Sequence, residues 1–277
     1  MTRKPAFKRK WDKTHMLLVG ASDDPLVAML QTEAREAGHT VSLYLDGDEE
    51  EFYLTNPKRS FSALMVLDSN DPHDVLLEMP DFVWSRCAGD CLFLINALCT
   101  SATDVTPFFQ EDETDRIIGF SPVALYAQKP VVEISKGELT APDAMESAKL
   151  FFDSMSIQTV DVPDIQGLVL GRILAMLVNE AASALMEGVA SVEDIDAAMK
   201  LGVNYPEGPL AWGDKIGLDV IRDILLNLFS LYGERYMPMP LLNDKVDAGQ
   251  LGYKTRQGFY TYRGTHAKKG HLTLIKP

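Results

Sequence analysis

The chain has 277 residues, of which 46% are hydrophobic and 24% are charged, as in ordinary globular proteins with buried cores. Its formal net charge of −14 argues against nucleic acid or an anionic membrane as the main partner. No apolar run in the sequence is long enough to span a membrane, so we expect a cytoplasmic protein without membrane contact.

The first fourteen residues differ in charge from the rest of the chain. They carry the cations Arg3, Lys4, Lys8, Arg9, Lys10 and Lys13. No apolar segment follows them, so this arm does not have the pattern of a secretory signal. We interpret residues 1–14 as a solvated terminal arm.

The cysteines indicate neither a metal centre nor a disulfide framework. There are three of them, Cys87, Cys91 and Cys99, and they lack the paired CxxC spacing of a zinc site. We therefore predict buried, reduced thiols, which are typical of cytoplasmic proteins, and no bound metal.

The first half of the chain alternates short apolar runs with helical stretches. The runs that predict buried strands are HMLLVG (15–20), TVSLYL (40–45), ALMVLD (63–68), FLINAL (93–98), RIIGF (116–120) and KPVVEIS (129–135). Residues 27–37 predict a helix that ends at Gly38. This alternation of strands and helices predicts an α/β fold with a parallel sheet.

The second half of the chain is predicted to be helical. Residues 168–186 form a long apolar-rich stretch, and such stripes on helices usually mark packing surfaces. Ser191 and Asp194 have the spacing of a capping box, which predicts a helix from there to Gly202. Another helix is predicted over 218–232. The boundary between the halves falls in VPDIQG (162–167), giving domains over 15–165 and 166–277.

Three segments of the second half carry distinctive motifs. They are NEAASALMEGVASVEDIDAAMKLGVNYPEGPLAWGDKIGLD (179–219), PLLNDKVDAG (240–249) and LGYKTRQGFYTY (251–262). These segments resemble the C-terminal domain of the 3-hydroxyacyl-CoA dehydrogenase family, and weaker similarity continues through 116–135 and 37–41. The resemblance implies a Rossmann-like NAD-binding domain with a mostly parallel sheet. It also implies a following all-α domain that forms a homodimer and closes over an acyl-CoA.

The resemblance also assigns four catalytic positions, on which the family has histidine, glutamate, serine and asparagine. Here they fall on Ser121, Glu133, Ser101 and Gly171, respectively, with a one-residue gap at Ser101. Only the glutamate and the serine are retained. A serine hydroxyl is not a base near neutral pH without a partner, and general acid–base catalysis contributes roughly a hundredfold to ten-thousandfold. Each of the two retained residues also has a structural interpretation. Glu133 is then a helix cap or an ion-pair partner, and Ser101 is a turn residue.

No other histidine is indicated as a replacement. The five are His15, His39, His73, His266 and His271, and none lies between positions 73 and 266. His39 falls in a turn between helix and strand, where we interpret it as structural. The segment over 46–101 also lacks the lysine-bearing helical arm that meets the CoA phosphates in the family. Its basic pair, Lys58 and Arg59, is interpreted as a solvated turn.

The turn GASDDP (20–25) stands where the family has its glycine-rich phosphate loop. The candidate cofactor-binding residues are Gly20, Ser22, Pro25 and Asp46. Ser22 and Pro25 occupy the second and third glycine positions of G-x-G-x-x-G, and Asp46 the place of the acid that holds the ribose. We expect Asp23 and Asp24 to satisfy the helix N-terminus that a pyrophosphate would use, and NAD binding to be weak.

Three functions remain open at this point. The first is an NAD-dependent 3-hydroxyacyl-CoA dehydrogenase whose activity is impaired. The second is a non-catalytic acyl-CoA-binding or assembly partner that keeps the dimer fold. The third is a different reaction on a related acyl-CoA, with Glu133 as the base.

Overall fold

The computed structural model describes residues 11, 13–22, 24–46, 48, 52, 60–68 and 72–262. Its first half is built on a seven-stranded sheet with the strand order β2-β1-β3-β4-β5-β6-β7. The strands are β1 (His15–Gly20), β2 (Thr40–Leu45), β3 (Phe61–Val66), β4 (Cys87–Asn96), β5 (Ile117–Ser121), β6 (Val131–Lys136) and β7 (Gln158–Asp161). Neighbouring strands are parallel except for β5 and β6, which are antiparallel. The predicted, mostly parallel sheet is therefore confirmed.

Helices pack on this sheet and form the second half of the chain. Those of the first half are α1 (Pro25–Glu36), α2 (Pro72–Glu78), α3 (Asp81–Trp84), α4 (Val123–Tyr126) and α5 (Pro142–Ser154). Those of the second half are α6 (Leu170–Met186), α7 (Val192–Val203), α8 (Pro209–Ile216), α9 (Leu218–Tyr232) and α10 (Pro240–Asp247). None of the described helices has the length and apolar character required to cross a membrane.

Strands β3 and β4 begin earlier than predicted, at Phe61 and Cys87, and helix α7 differs from its prediction at both ends. Helix α7 continues one residue past Gly202, because Asn204 takes the left-handed conformation (φ 58°) that ends it. Asparagine is one of the few residues other than glycine that adopts this conformation readily. At the start of α7, Ser191 accepts from the Asp194 amide as predicted, but the Asp194 carboxylate accepts from the Ser191 hydroxyl instead of a backbone amide.

Two apolar clusters form the core. One lies between the sheet and helix α2 and includes Phe61 and Phe93. The other continues from the opposite face of the sheet into the helices of the second half, and it includes Phe120, Leu174 and Ile224. Because side chains from both halves share this second cluster, the sheet and the helices pack against each other directly.

The start of the described chain is held against helix α5. The Trp11 indole donates to Ser147 Oγ (3.1 Å), and its ring meets Phe151 edge-on at 4.8 Å. His39 has a structural role, as predicted, since its ring nitrogens bond to Thr14 Oγ1 (2.9 Å) and Ser154 Oγ (2.8 Å). Most of the basic arm lies outside the described residues, as do Lys58, Arg59, His266 and His271.

The three cysteines are free thiols. Cys91 and Cys99 are buried, as predicted, whereas Cys87 is half-buried. Within the described ranges, no group of three or more histidine, cysteine or acidic side chains is arranged to hold a metal ion.

Candidate functional site

The sheet brings Ser121 and Glu133 together. They are directly opposite each other across the antiparallel pair of β5 and β6. Side chains at such positions share one face of the sheet, with Cβ atoms roughly 4.5–5.5 Å apart. Ser121 is only 1% exposed, and its Oγ accepts from the Val123 amide (3.4 Å) at the start of α4. Position 121 is therefore a closed, buried place beside the glutamate.

Glu133 caps the long helix of the second half. Its two carboxylate oxygens accept from the Leu170 amide at 3.0 and 3.1 Å, at the N-terminus of α6. Burial raises the pKa of Glu133, while the amides of Leu170 and Val169 act in the opposite direction. Neither Glu133 nor Ser121 hydrogen-bonds to a histidine in the described part of the chain. The helix-capping interpretation of Glu133 therefore applies.

Gly171 faces an apolar side chain. A Cβ placed on Gly171 would lie 2.8 Å from Leu98 Cδ2, and 3.9 Å from methyl carbons of Ile224 and Val123. The space that a side chain at position 171 would need is thus filled by Leu98, which the sequence analysis did not single out. Its only sequence signal was its place at the end of an apolar run, which indicates packing.

The Ser101 side chain stabilises the turn in which it lies. It is buried, and its Oγ accepts from the Asp104 amide at 3.1 Å. The next residues are held by Asp164, whose carboxylate accepts from the amides of Ala102 (3.0 Å) and Thr103 (2.9 Å). Ser101 is not among the atoms nearest to Gly171, where Leu98 lies instead. The structure thus brings Ser121 and Glu133 together and gives Ser101 a turn-forming contact.

The turn after β1 is closed by its own acidic residues. Asp24 is the N-cap of α1, where its Oδ1 accepts from the Leu26 amide at 2.8 Å, as predicted. Pro25 is the first residue of the helix, where its missing N–H is tolerated. A Cβ on Gly20 would lie 3.3 Å from Leu67 Cβ, so the strand end has little free space. Asp23 lies outside the described residues.

Asp46 is also engaged by this turn. Its backbone is in the left-handed region (φ 52°), and its Oδ1 accepts from the Ser22 amide at 3.0 Å. Asp46, the acid that we expected to hold the ribose of NAD, therefore binds the turn that would hold the NAD phosphates. Together Asp24 and Asp46 take two of the backbone amides that an anion at this turn would need.

A cleft of about 70 Å³ lies between this turn and the helical half. On the sheet side it is lined by Asp24, Asp68 and Tyr126, and on the helical side by residues 214–217 and Lys254. The β1–β3 edge is where the strand order reverses, and ligands of α/β sheets bind at such points. Tyr126 and Lys254 are not among the predicted site residues, because neither belongs to a phosphate-loop pattern.

Tyr126 and Lys254, two polar residues that line this cleft, already have acidic partners. The Tyr126 hydroxyl donates to Asp24 Oδ1 (3.4 Å), and burial together with the Asp24 charge raises the pKa of Tyr126. Lys254 forms an ion pair with Asp219 beneath the cleft. The positive charge of Lys254 is therefore already compensated by Asp219, so it attracts a pyrophosphate in this cleft less strongly.

Comparisons with known proteins identify the family. Residues 167–262 match the family described as 3-hydroxyacyl-CoA dehydrogenase, C-terminal domain. The 3-hydroxybutyryl-CoA dehydrogenase of Clostridioides difficile is 39% identical over 201 residues, which are 71% of this chain and 68% of that protein. The chain belongs to the 3-hydroxyacyl-CoA dehydrogenase family.

Other relatives and solved structures agree with this assignment. The 3-hydroxybutyryl-CoA dehydrogenase of Bradyrhizobium diazoefficiens is 42% identical over 157 residues, which are 55% of this chain and 53% of that protein. The crystal structure of (S)-3-hydroxybutyryl-CoA dehydrogenase PaaH1 from Ralstonia eutropha has a TM-score of 0.69 at 22% identity, covering 91% of this chain and 100% of that one. FadB2 of M. tuberculosis has a TM-score of 0.74 at 23% identity over the same coverage. These two structures show the fold, a Rossmann-like domain followed by a helical domain.

The closing motif of the 3-hydroxyacyl-CoA dehydrogenase domain is held by two buried carboxylates. Asp214 accepts from the amides of Phe259 (2.9 Å) and Tyr260 (2.9 Å) and from the Tyr262 hydroxyl (2.8 Å). Asp196 accepts from the Tyr260 hydroxyl (2.9 Å) and from two amides at the start of α8. These two carboxylates therefore tie the closing motif to helices α7 and α8.

Proposed function

We propose that this protein is a 3-hydroxyacyl-CoA dehydrogenase-family protein of fatty acyl-CoA metabolism in which NAD-dependent oxidation of 3-hydroxyacyl-CoA is strongly impaired. The observation that carries the proposal is the packing of Leu98 into the space at Gly171. An apolar side chain there offers no donor to a developing oxyanion, and such donors contribute several kcal/mol in enzymes (about 2.7–4 each). The buried Ser121 supplies no base in place of histidine.

The residues of the β1 turn do not fit the pyrophosphate of NAD. The Asp24 carboxylate takes an amide at the N-terminus of α1, and Pro25 has none to offer. A carboxylate about 4 Å from a phosphate charge costs on the order of 1–4 kcal/mol, depending on screening. We therefore propose that NAD, the cofactor implied by the family, binds weakly here.

A second candidate is a non-catalytic acyl-CoA-binding or assembly partner that acts in the cytoplasm. It is favoured by the contrast between the altered catalytic positions and the intact network around Asp196 and Asp214. A reaction with Glu133 as the base has less support. Burial raises the pKa of this carboxyl, but both its oxygens are engaged by the Leu170 amide.

We also propose a homodimer formed through the helices after residue 166. Exposed apolar side chains lie at the end of α6 (Met186), between α6 and α7 (Val189) and at the end of α7 (Leu201 and Val203), with Leu201 88% exposed. Such patches on globular proteins mark interaction surfaces. Sedimentation velocity at micromolar concentration should give a dimer, which Leu201→Glu weakens and Leu77→Glu, an exposed leucine of the first half, does not. A monomeric wild-type protein would contradict the proposal.

The test of the main proposal measures binding and turnover separately. Titration calorimetry gives dissociation constants for NADH and for acetoacetyl-CoA, and NADH absorbance follows reduction of acetoacetyl-CoA. We expect weak NADH binding and a rate at least a hundredfold below that of the Clostridioides difficile relative, assayed alongside. Acetoacetyl-CoA binding without turnover favours the non-catalytic candidate. Turnover at the rate of the relative would overturn both.

A further inference from the structure

Two arginines and two tyrosines of the helical half lie close together. We call them the arginine–tyrosine cluster; its members are Arg172, Tyr232, Arg235 and Tyr236. The guanidinium carbon of Arg172 lies 4.6 Å from the ring centre of Tyr232 and 5.7 Å from that of Tyr236. The guanidinium carbon of Arg235 lies 5.6 Å from the ring centre of Tyr236. The cluster joins the first turn of α6 to the end of α9 and is separate from the cleft at the β1 turn.

The arginines of this cluster lack carboxylate partners. In the described part of the chain neither Arg172 nor Arg235 forms an ion pair, whereas Arg222 on the same helix as Tyr232 pairs with Asp247 at 2.9 Å. The protein has 40 acidic against 26 basic residues, so a shortage of carboxylates does not explain this. An unneutralised pair of guanidinium groups in such an acidic protein indicates a place for an external anion.

The Arg172 side chain is held in place with most of its donors free. It is half-buried, and one terminal nitrogen donates to the Tyr236 hydroxyl at 3.3 Å. A Cβ on Gly167 would lie 2.9 Å from Arg172 Cγ, so the chain packs closely over that glycine. A guanidinium group has five N–H donors, and the hydroxyls of Tyr236 and Tyr232 engage only part of them on Arg172. A pre-positioned fork of this kind matches the oxygens of a phosphate.

We propose that the arginine–tyrosine cluster binds a phosphorylated nucleoside, with Arg172 holding the phosphate, Arg235 adding positive charge and Tyr232 stacking on the base. The Tyr232 ring is 51% exposed, and stacking of a base on such a ring contributes about 1–3 kcal/mol. Two sources carry this group, a free nucleotide and the phosphoadenosine end of CoA. The CoA source rests on the acyl-CoA binding proposed above.

Adenosine 3′,5′-bisphosphate is the probe, because it carries neither an acyl group nor a nicotinamide. Titration calorimetry on the full chain should show binding that Arg172→Gln weakens at least tenfold, with a smaller loss for Arg235→Gln and for Tyr232→Leu. Arg35→Gln, an exposed arginine of α1, makes the same change of charge elsewhere and should leave the affinity unchanged. Circular dichroism of each variant establishes that it is folded.

A parallel titration with CoA and 3′-dephospho-CoA identifies the source. Weaker binding of 3′-dephospho-CoA, together with a loss of CoA affinity in Arg172→Gln, supports the phosphoadenosine end of CoA. Bisphosphate binding that depends on Arg172 without any CoA binding supports a free nucleotide, and it also separates this site from the acyl-CoA proposal. Equal affinity in wild type and Arg172→Gln overturns the site. Dissociation of a dimer by Arg172→Gln without a change in nucleotide affinity overturns it too, since the arginine then contacts a second copy.

Discussion

Ser121 and Glu133 are direct cross-strand partners in the antiparallel pair of β5 and β6. The short helix α4 reverses the chain between the two strands, which places the residues on one face of the sheet although they are twelve positions apart in the sequence. The geometry in which a glutamate orients a neighbouring side chain is therefore present. The neighbour in this chain is a serine, and the glutamate binds the amide of Leu170.

Restoring the histidine alone should not restore the reaction. We expect Ser121→His to raise oxidation of 3-hydroxybutyryl-CoA less than about tenfold, the change that 1.4 kcal/mol of barrier represents. Leu98 still fills the space at Gly171, and catalytic groups that act as a unit are strongly non-additive. A stopped-flow NADH assay compares Ser121→His with wild type, with Ser121→Ala as the control. A gain of much more than about tenfold for Ser121→His alone would show that the rest of the site is functional.

A larger gain requires several changes together. Ser121→His combined with Leu98→Ser, Gly171→Asn and a turn rebuilt with glycines over 20–25 should exceed tenfold, because each change supplies one missing part. The same assay applies to the combination. If it is no faster than Ser121→His, the packing of Leu98 is not the obstacle that we infer.

Removing the charge of Asp24 should improve NADH binding. Asp24→Asn keeps a side-chain oxygen for the Leu26 amide while it removes the repulsion, so we expect affinity to rise about fivefold or more. Asp24→Ala is the matched variant, since it removes both the charge and the cap and should cost about 0.5–2 kcal/mol of stability. Fluorescence titration with NADH and urea unfolding measure the two effects. Low-micromolar binding by wild type would contradict our account of this turn.

The stability contributed by Glu133 should depend on pH. Burial raises its pKa above the ordinary 4.5, so the folded state holds this proton to a higher pH than the unfolded state does. Its contribution is full below pH 4.5 and is lost as the pH rises through the raised pKa. The free energy of unfolding of wild type relative to Glu133→Gln should therefore fall as the pH rises above 4.5. Urea unfolding measures it, with the exposed Glu138→Gln as control; an unchanged difference would contradict the burial effect.

Asp214 should be essential for the closing motif. Asp214→Ala removes the acceptor of three hydrogen bonds at a residue only 1% exposed, which we expect to cost about 2–5 kcal/mol. Urea unfolding gives the loss, and limited proteolysis should show earlier cleavage within 251–262. Asp244→Ala, an exposed aspartate on α10, should change neither. A fully stable Asp214→Ala would mean that the motif is held by its other contacts.

Local patterns predicted most of the fold. Strands β1 and β2 and the helix over 218–232 have the predicted bounds, because each is an uninterrupted apolar or periodic segment, but β2 is only partly buried. Strand β7 was missed, since Gln158–Asp161 is mostly exposed and carries no apolar alternation. It forms because β6 offers a parallel partner, which is a property of the sheet and not of its own residues.

The candidate site was predictable only where its contacts are local. The Asp24 cap could be inferred because donor and acceptor are two residues apart. The bond from Leu170 to Glu133 and the packing of Leu98 at Gly171 join distant parts of the chain. Sequence spacing identifies such residues as candidates, but their partners are decided by how the two halves pack.

The bond between Glu133 and the start of α6 affects how members of this family should be classified. In this chain the carboxylate attaches the helical half to the sheet through the Leu170 amide, and this contact does not depend on a reaction at position 121. A survey that scores chains as active by this glutamate would count this protein among the dehydrogenases. Positions 98, 121 and 171 are the better discriminators, because none of them takes part in the bond between Glu133 and Leu170.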